Sequence, residues 1–441
     1  MQSKKTYKLL FFFLLLFILP VSKSIAQNVS SPYSILGIGD IDTRDYGRYF
    51  GSGSTTIARR DEFGYNFSNP ASLTALPYKR MNFDIGMRGT VNSFKAPGAD
   101  TSLGTSKDMV IKRITMAFKI SQNTGIAFGL RPYSTVSYQY QTLQPIVTGT
   151  YYNFNFINGT GGVNQVYFSI ARQLGKHISV GLTPSYLFGA IQQSTNSFSN
   201  FLPYNYTKLD ITTLYGANLT AGIQYDSYKI PTGEHANDPK WYHRVGLTAT
   251  VSSQLNGQLT TDYTNNLNTK DSTVQEAVSN ASFKLPTSIA FGYSASHVSA
   301  VHNKESNKVT LSADINYSSW PNQRVNYQNS FTTSTFRISG GIEYAKMISV
   351  QGYSFEKYFL SAGFTGENSY IMLNNNYIKN YGVTFGGGFN LFQKLSIYGG
   401  VELGEKGRIS DYQIKESYAS FVVGFTLKDL WYGTRKFGKF Y

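Results

Sequence analysis

From Glu416 to Leu427 the chain reads ESYASFVVGFTL and alternates without a break. Ala419, Phe421, Val423, Phe425 and Leu427 share one side of an extended chain; Tyr418, Ser420, Val422, Gly424 and Thr426 share the other. Successive side chains of a strand point to opposite faces, so this stretch is a strand with one apolar face. The same period recurs from Lys79 onward. Apolar faces run over 83–91, 114–120, 126–130, 166–170, 178–188, 215–225, 245–251, 289–293, 309–317, 336–344, 358–364, 381–389 and 395–403, which with the opening stretch makes 14 segments.

The opposite faces decide what these strands enclose. They carry Asp84, Arg88, Arg113, Lys119, Arg131, Asp314, Arg337, Glu343 and Glu402 among many Gly, Ser, Thr and Asn, and no charge falls on an apolar face. A Lys or Arg facing lipid near mid-bilayer costs about 2–4 kcal/mol. A soluble sandwich would turn its apolar faces toward one shared core instead. Only 15% of the residues are charged, against about 25% in ordinary soluble chains. Strand number, strand length and a leader sequence point to an all-β fold: a transmembrane antiparallel β-barrel of about 14 strands, with an N-terminal plug segment inside its lumen. Closure follows from the backbone, because an unpaired N–H or C=O in hydrocarbon costs several kcal/mol.

The chain divides into four parts. Residues 1–26 read as a secretory signal, with Lys4, Lys5 and Lys8 before the apolar run Leu9–Val21 and small residues Ser24 and Ala26 at the cleavage positions. That run is shorter than the ~20 residues a spanning helix needs. Residues 27–78 do not alternate and form the hatch or plug. Residues 79–427 form the barrel, and 428–441, KDLWYGTRKFGKFY, a basic aromatic periplasmic tail. Links at 121–124, 174–177 and 392–394 are tight turns; those around 93–108, 139–162, 190–206, 253–286, 318–335, 366–379 and 404–415 read as long loops. An even strand number puts both termini in the periplasm. The location is the cell outer membrane, and outer-membrane lipid and lipopolysaccharide are the expected surroundings.

The net charge of +15 has no cluster of basic residues interleaved with aromatics, so nucleic acid is not an expected partner and an anionic membrane surface is. The absence of Cys removes thiolate chemistry. Inward Arg88, Arg113, Arg131 and Arg337 could hold a ligand carboxylate by paired hydrogen bonds. A polar lumen needs ion-paired networks in any case, with Asp84, Asp314, Glu343 and Glu402 as natural partners, and for any one Arg that structural role is the better reading. Asp40, Asp42 and Asp45 in GDIDTRD offer oxygen ligands for a cation, but lack the rest of a calcium loop, and turn or capping roles suit them better. No metal site and no cofactor is expected. The five His, at 177, 235, 243, 297 and 302, all fall at strand ends or in loops on one predicted side, and neither G-x-S-x-G nor H-E-x-x-H occurs. GTRKFGK at 433–439 lacks the closing Ser or Thr of a phosphate loop. An enzyme is not expected.

Three short motifs carry a resemblance. Asn69-Pro70-Ala71 in NFSNPASLTAL, Lys284–Ser294 (KLPTSIAFGYS) and Ser312–Val325 (SADINYSSWPNQRV) are similar to segments of the FadL family of outer-membrane transporters for hydrophobic compounds, in a Bacteroidetes-type form. The resemblance implies a hatch ending at Asn69, Pro70 and Ala71. It also implies passive uptake of long-chain fatty acids or similar molecules through an apolar lumen pocket, and sideways exit at a kinked wall strand. Pro132 interrupts the third strand after Gly129 and is the candidate for that kink, since proline in a sheet is confined to edges and bulges. Pro184 poses the same question in the fifth strand. The extra C-terminal tail departs from the family pattern. FadL-like barrels also serve as partner or plug subunits of the type IX protein-secretion machinery, which is the alternative expectation.

Overall fold

The computed structural model describes residues 31–430 apart from 97, 99–103, 148–150, 200–204, 229–237, 266–271, 303–304, 326–328, 351–352, 392–393 and 411–412. The leader, residues 431–441 of the tail and the phosphate-loop look-alike lie outside the described residues. Lys428, Asp429 and Leu430, read from the sequence as the start of the tail, instead continue the last wall strand, paired with Asn82, Met81 and Arg80.

A closed antiparallel wall of 14 staves surrounds the N-terminal segment. The segment contains one short strand, β1 (Asp40–Ile41). The wall begins with β2 (Arg80–Lys95) and β3 (Gly104–Lys119). Its third stave is β4 (Thr124–Pro132), continued by β5 (Ser134–Val147). Next come β6 (Tyr151–Leu174), β7 (Ile178–Ser199) and β8 (Tyr206–Asp226), then β9 (Lys240–Thr250) continued by β10 (Gln254–Asn265). β11 (Ser272–Lys284) leads into β12 (Thr287–Val298), followed by β13 (Glu305–Ser319) and by β14 (Ser330–Thr332) continued by β15 (Thr335–Val350). β16 (Tyr353–Leu373), β17 (Asn376–Leu391), β18 (Leu395–Lys406) and β19 (Lys415–Leu430) complete it. β19 pairs with β2, Phe425 opposite Ile85, so the ring has no free edge there.

All 14 alternating segments of the sequence lie in staves, and their apolar faces look outward. Phe421, Val423 and Leu427 are 46%, 55% and 46% exposed, while Ser420 and Thr426 between them are buried. Exposed Phe, Ile, Val, Leu and Tyr recur around the ring as a belt. Water would not tolerate an apolar band of this extent on a monomer; lipid does.

Much of what reads as long loops is strand. β6 has 24 residues and β7 22, about twice the 9–11 a tilted strand needs to span a bilayer. The extra length is rich in Asn, Gln, Ser, Thr and Gly and so reads as loop, although Phe154 and Phe156 do alternate with Asn153 and Asn155 in β6. The turns at 120–124 and 174–178 are short. They share one rim, here the turn rim, with the ends Arg80 and Leu430, which pair with each other. The opposite, hairpin rim carries the extensions.

Residues 31–77 occupy the interior. The Asp314 carboxylate of β13 accepts the backbone N–H groups of Thr56 at 2.5 Å and Ile57 at 3.0 Å. Thr384 of β17 accepts the Gly53 N–H and donates to the Gly51 carbonyl. A 3-10 helix, Pro70–Ala75, lies where the wall is bare: a Cβ on Gly181 of β7 would sit 2.7 Å from the Pro70 carbonyl carbon. Near the turn rim Tyr65, Leu73 and Leu76 pack on Ala117, Ala127, Tyr167 and Ala171. Toward the hairpin rim Leu36, Ile38, Leu187, Leu214, Leu255, Trp320, Tyr370 and Ile371 form the largest apolar cluster.

Candidate functional site

The interior segment is tied to the wall by charge. Arg48 places Nη1 2.5 Å from Glu356 Oε1 and Nη2 2.9 Å from Glu343 Oε1. Arg59 Nη2 lies 2.8 Å from the same Glu343 oxygen and 3.1 Å from Asp61 Oδ2, and Lys308 Nζ lies 2.8 Å from Asp61 Oδ1. Three cations thus face three carboxylates, all nearly out of contact with solvent. Burial alone would raise the Asp61 carboxyl; Lys308, Arg59 and Arg48 overcome that and hold it well below the usual carboxylate range. A second knot has Arg113 between Asp84 at 2.6 Å and Asp45 at 2.7 Å. A third has Arg44 between Glu402 and Glu367, each at 3.1 Å. Removing one member of such a buried pair costs about 3–5 kcal/mol, because the other is left uncompensated.

Between this segment and the wall lies a chamber of about 400 Å³. Its lining is mixed: Arg44, Arg88, Lys112, Arg131, Arg337 and Lys406 face it with Asp40, Asp42, Glu367, Glu402 and Glu416, and with many Thr, Ser and Asn. Ile41, Ile57, Phe67, Tyr133, Ile289 and Trp320 supply scattered apolar surface. The pocket expected to be apolar is in this lumen a chamber where apolar surface alternates with charged groups. Wall positions that alternate with lipid-facing ones are polar, and the interior segment brings charges to match them.

The chamber reaches a break in the wall. β3 pairs with β4 only from Ile114 to Lys119. In the described ladders residues 105–113 of β3 pair with β2 alone. β5 does not carry on where β4 stops; it pairs with β6 and, at Ser134 and Thr135, with β1 of the interior segment. The joint is Tyr133, immediately after Pro132; the Tyr133 N–H donates to Val163 O, and the Tyr133 carbonyl accepts the Asp42 N–H at 2.9 Å. Across the break reaches Lys112. A bulge between the pairs Gly86–Arg113 and Met87–Ile111 turns it inward. Its Nζ lies 2.8 Å from both Asp42 carboxylate oxygens and 3.3 Å from Thr135 Oγ1.

The residues singled out from the sequence fall as follows. Asn69 caps the 3-10 helix: its Oδ1 accepts the Ala71 N–H at 3.1 Å, and its Nδ2 donates to Ile57 O and to Ile223 O of β8. Pro70 and Ala71 are buried beneath it. Pro132 stands at the wall break, paired with Asn164, whereas Pro184 leaves β7 continuous, paired with Leu219. Arg88, Arg113, Arg131 and Arg337 all turn inward, but not to one point. Arg88 bonds Asp108 at 3.0 Å. Arg131 donates to Asp42 O at 3.0 Å and lies over the Phe67 ring. Arg337 donates to Thr43 O and Gly53 O. Arg88, Arg131 and Arg337 line the chamber; Arg113 is spent in its own knot. Lys112, Arg44, Arg48 and Arg59 were not legible as site residues, since the interior segment has no period and the bulge at Lys112 breaks one.

The aspartates at 40, 42 and 45 are each taken by a cation, Lys406, Lys112 and Arg113 respectively. Asp45 also accepts the Gly47 backbone N–H two residues on, a turn role of the kind the sequence suggests, and the ion pairs are the added finding. Among the described residues no three His, Asp or Glu side chains are grouped to hold a metal ion. His177, His243 and His297 lie near the turn rim beside Tyr225, Tyr293 and Trp241; His235 lies outside the described residues.

A closed wall with a belt of exposed apolar side chains and a polar, segment-filled interior defines a transmembrane β-barrel of outer-membrane type. The chain belongs to the BamG family, whose model matches residues 6–438. No curated protein sequence matches it. Among solved structures it is similar to a Pseudomonas aeruginosa FadL homologue, with TM-score 0.57, 9% identity, and 89% of this chain and 100% of that chain covered. It is similar to the Pseudomonas putida toluene transporter TodX, with TM-score 0.51 and 15% identity over 88% and 99%. For the Ralstonia pickettii toluene transporter TbuX the values are 0.51 and 13% over 86% and 97%. The shared fold is FadL-like.

Proposed function

We propose that this barrel is an outer-membrane channel through which small hydrophobic molecules bearing a polar head pass without energy input, leaving the lumen sideways between β3 and β5. The observation that carries this reading is the meeting of the chamber with the wall break. A cavity lined by Lys112, Arg131 and Tyr133 adjoins the stretch of β3 that has no second ladder partner among the described strands. The neighbours of like fold move toluene, which supports a hydrophobic cargo class. The cations in a mixed lining narrow it: a long-chain fatty acid suits, its carboxylate replacing Asp42 beside Lys112 and Arg131 while its tail lies in the break. Asn69, Pro70 and Ala71 then hold the interior segment in register, and Pro132 fixes the place of the opening.

The test is uptake of a fluorescent fatty acid into proteoliposomes, wild type against Thr135→Trp, which fills the break, and Lys112→Met. Thr135→Trp is expected to lower uptake at least tenfold. Uptake no faster than in protein-free vesicles would overturn the reading.

One observation favours a second reading, that of a partner subunit in a larger outer-membrane assembly such as the type IX secretion machinery. The lumen is cross-braced by three buried ion-pair knots, a design suited to a fixed scaffold. It predicts stoichiometric co-purification with other membrane subunits, and no change in that yield for Thr135→Trp.

A further inference from the structure

The hairpin-rim extension carries a feature that neither lipid nor the chamber accounts for. On its outer face Leu143 of β5, Phe154 of β6 and Phe198 of β7 form one cross-strand row: Leu143 opposes Phe154, and Phe154 opposes Phe198. They are 55%, 47% and 39% exposed. Phe156 extends the row, its ring edge-on to Phe198 at 5.6 Å. Lipid does not cover them. The apolar belt on β7 runs from Ile178 to Phe188, and at roughly 3.3 Å per residue Phe198 lies about 30 Å further along the strand. Asn158, Thr160, Gln192, Ser194 and Asn196 separate the two apolar zones on the same outer face.

The platform is also devoid of charge. Residues 132–171 and 177–207 contain no Asp, Glu, Lys or Arg, in a chain of net charge +15. Charge depletion with aromatic enrichment marks the core of a protein interface rather than bare surface. The row ends at a strand margin. β3 spans Gly104–Lys119 and β5 Ser134–Val147, and among the described ladders Gln141–Gln144 pair with β6 only. The base of that margin already accepts strand addition from within the chain: Asp40 and Ile41 pair with Thr135 and Ser134, and the Ser31 N–H bonds Ser137 O.

We infer that the β5 margin and the Leu143–Phe154–Phe198 row together form a docking surface for another protein, which adds an extended segment to β5 and rests apolar side chains on the row. Main-chain bonds give such strand addition its hold, and the flanking apolar side chains its selectivity. This surface is independent of what the chamber carries.

The test places a photo-cross-linking residue at Leu143 of the full-length protein in intact cells, with Leu182 on the lipid belt as the control position. The cross-linked segment is mapped, synthesised as a peptide and added to the purified barrel for amide hydrogen exchange. Slowing of exchange at 141–144 by at least tenfold, lost in the Leu143→Asp/Phe154→Asp variant whose barrel stays folded by heat-modifiable migration, is the expected result. Adducts with glycan only, with a second copy of the barrel only, or equal at Leu143 and Leu182 would overturn the inference. So would a peptide that leaves those amides unprotected.

Discussion

At the scale of single residues the interior is governed by pairing. Glu343 serves two guanidiniums at once, so Glu343→Ala leaves Arg48 with Glu356, Arg59 with Asp61, and three buried cations facing only two carboxylates. Thermal unfolding in detergent is expected to show a loss of about 3–5 kcal/mol, and less for Glu343→Gln, which keeps an acceptor. The same knot sets a pH dependence. The folded Asp61 carboxyl titrates well below its usual value of 3.8. Its contribution to stability is therefore complete above about pH 4 and is lost as pH falls through the depressed folded value. Hydrogen exchange of residues 59–61, corrected for intrinsic rates, is expected not to accelerate from pH 7 to 4, and to accelerate only below. Acceleration between pH 7 and 5 would contradict the pairing. Which arginines face inward was legible from alternation, as Arg88, Arg113, Arg131 and Arg337 demonstrate. What each bonds was not, because three of their partners, Asp45, Asp42 and Thr43, sit on a segment without period.

At the scale of elements the wall and the interior segment fit through bare backbone. The 3-10 helix approaches β7 so closely at Gly181 that a side chain there has no room. Gly181→Val is expected to loosen residues 66–77 while the wall keeps its heat-modifiable migration, with exchange in that helix rising at least tenfold. The staves themselves were readable wherever one face meets lipid. Their outer halves read as loops because Asn, Gln, Ser and Thr dominate QQSTNSFS and break up YNFNFINGT, although Tyr152, Phe154 and Phe156 in the latter do share one face. The two-piece third stave left a sign in Pro132. The joints of the seventh and eighth staves, between Thr250 and Gln254 and between Lys284 and Thr287, passed for the ends of one long loop, although Pro286 marks the second.

At the scale of the whole molecule the barrel has two kinds of exposed apolar surface, and a charge separates them. Val423→Arg, at the middle of the belt, is expected to cost about 2–4 kcal/mol in lipid vesicles, whereas Phe198→Arg is expected to cost no more than about 1. Equal penalties would mean that the extension is immersed too.

The interior segment also fixes an order of events. It comes before every stave in the chain, yet it bonds to staves from β3 to β18. Once β19 zips onto β2 the ring is complete, and some 45 folded residues with buried ion pairs have no route in. The part of the chain born first must therefore be cradled by a half-built sheet until the part born last arrives. Assembly is a wrapping of the wall around its own contents, and a wall closed early is a wall closed empty.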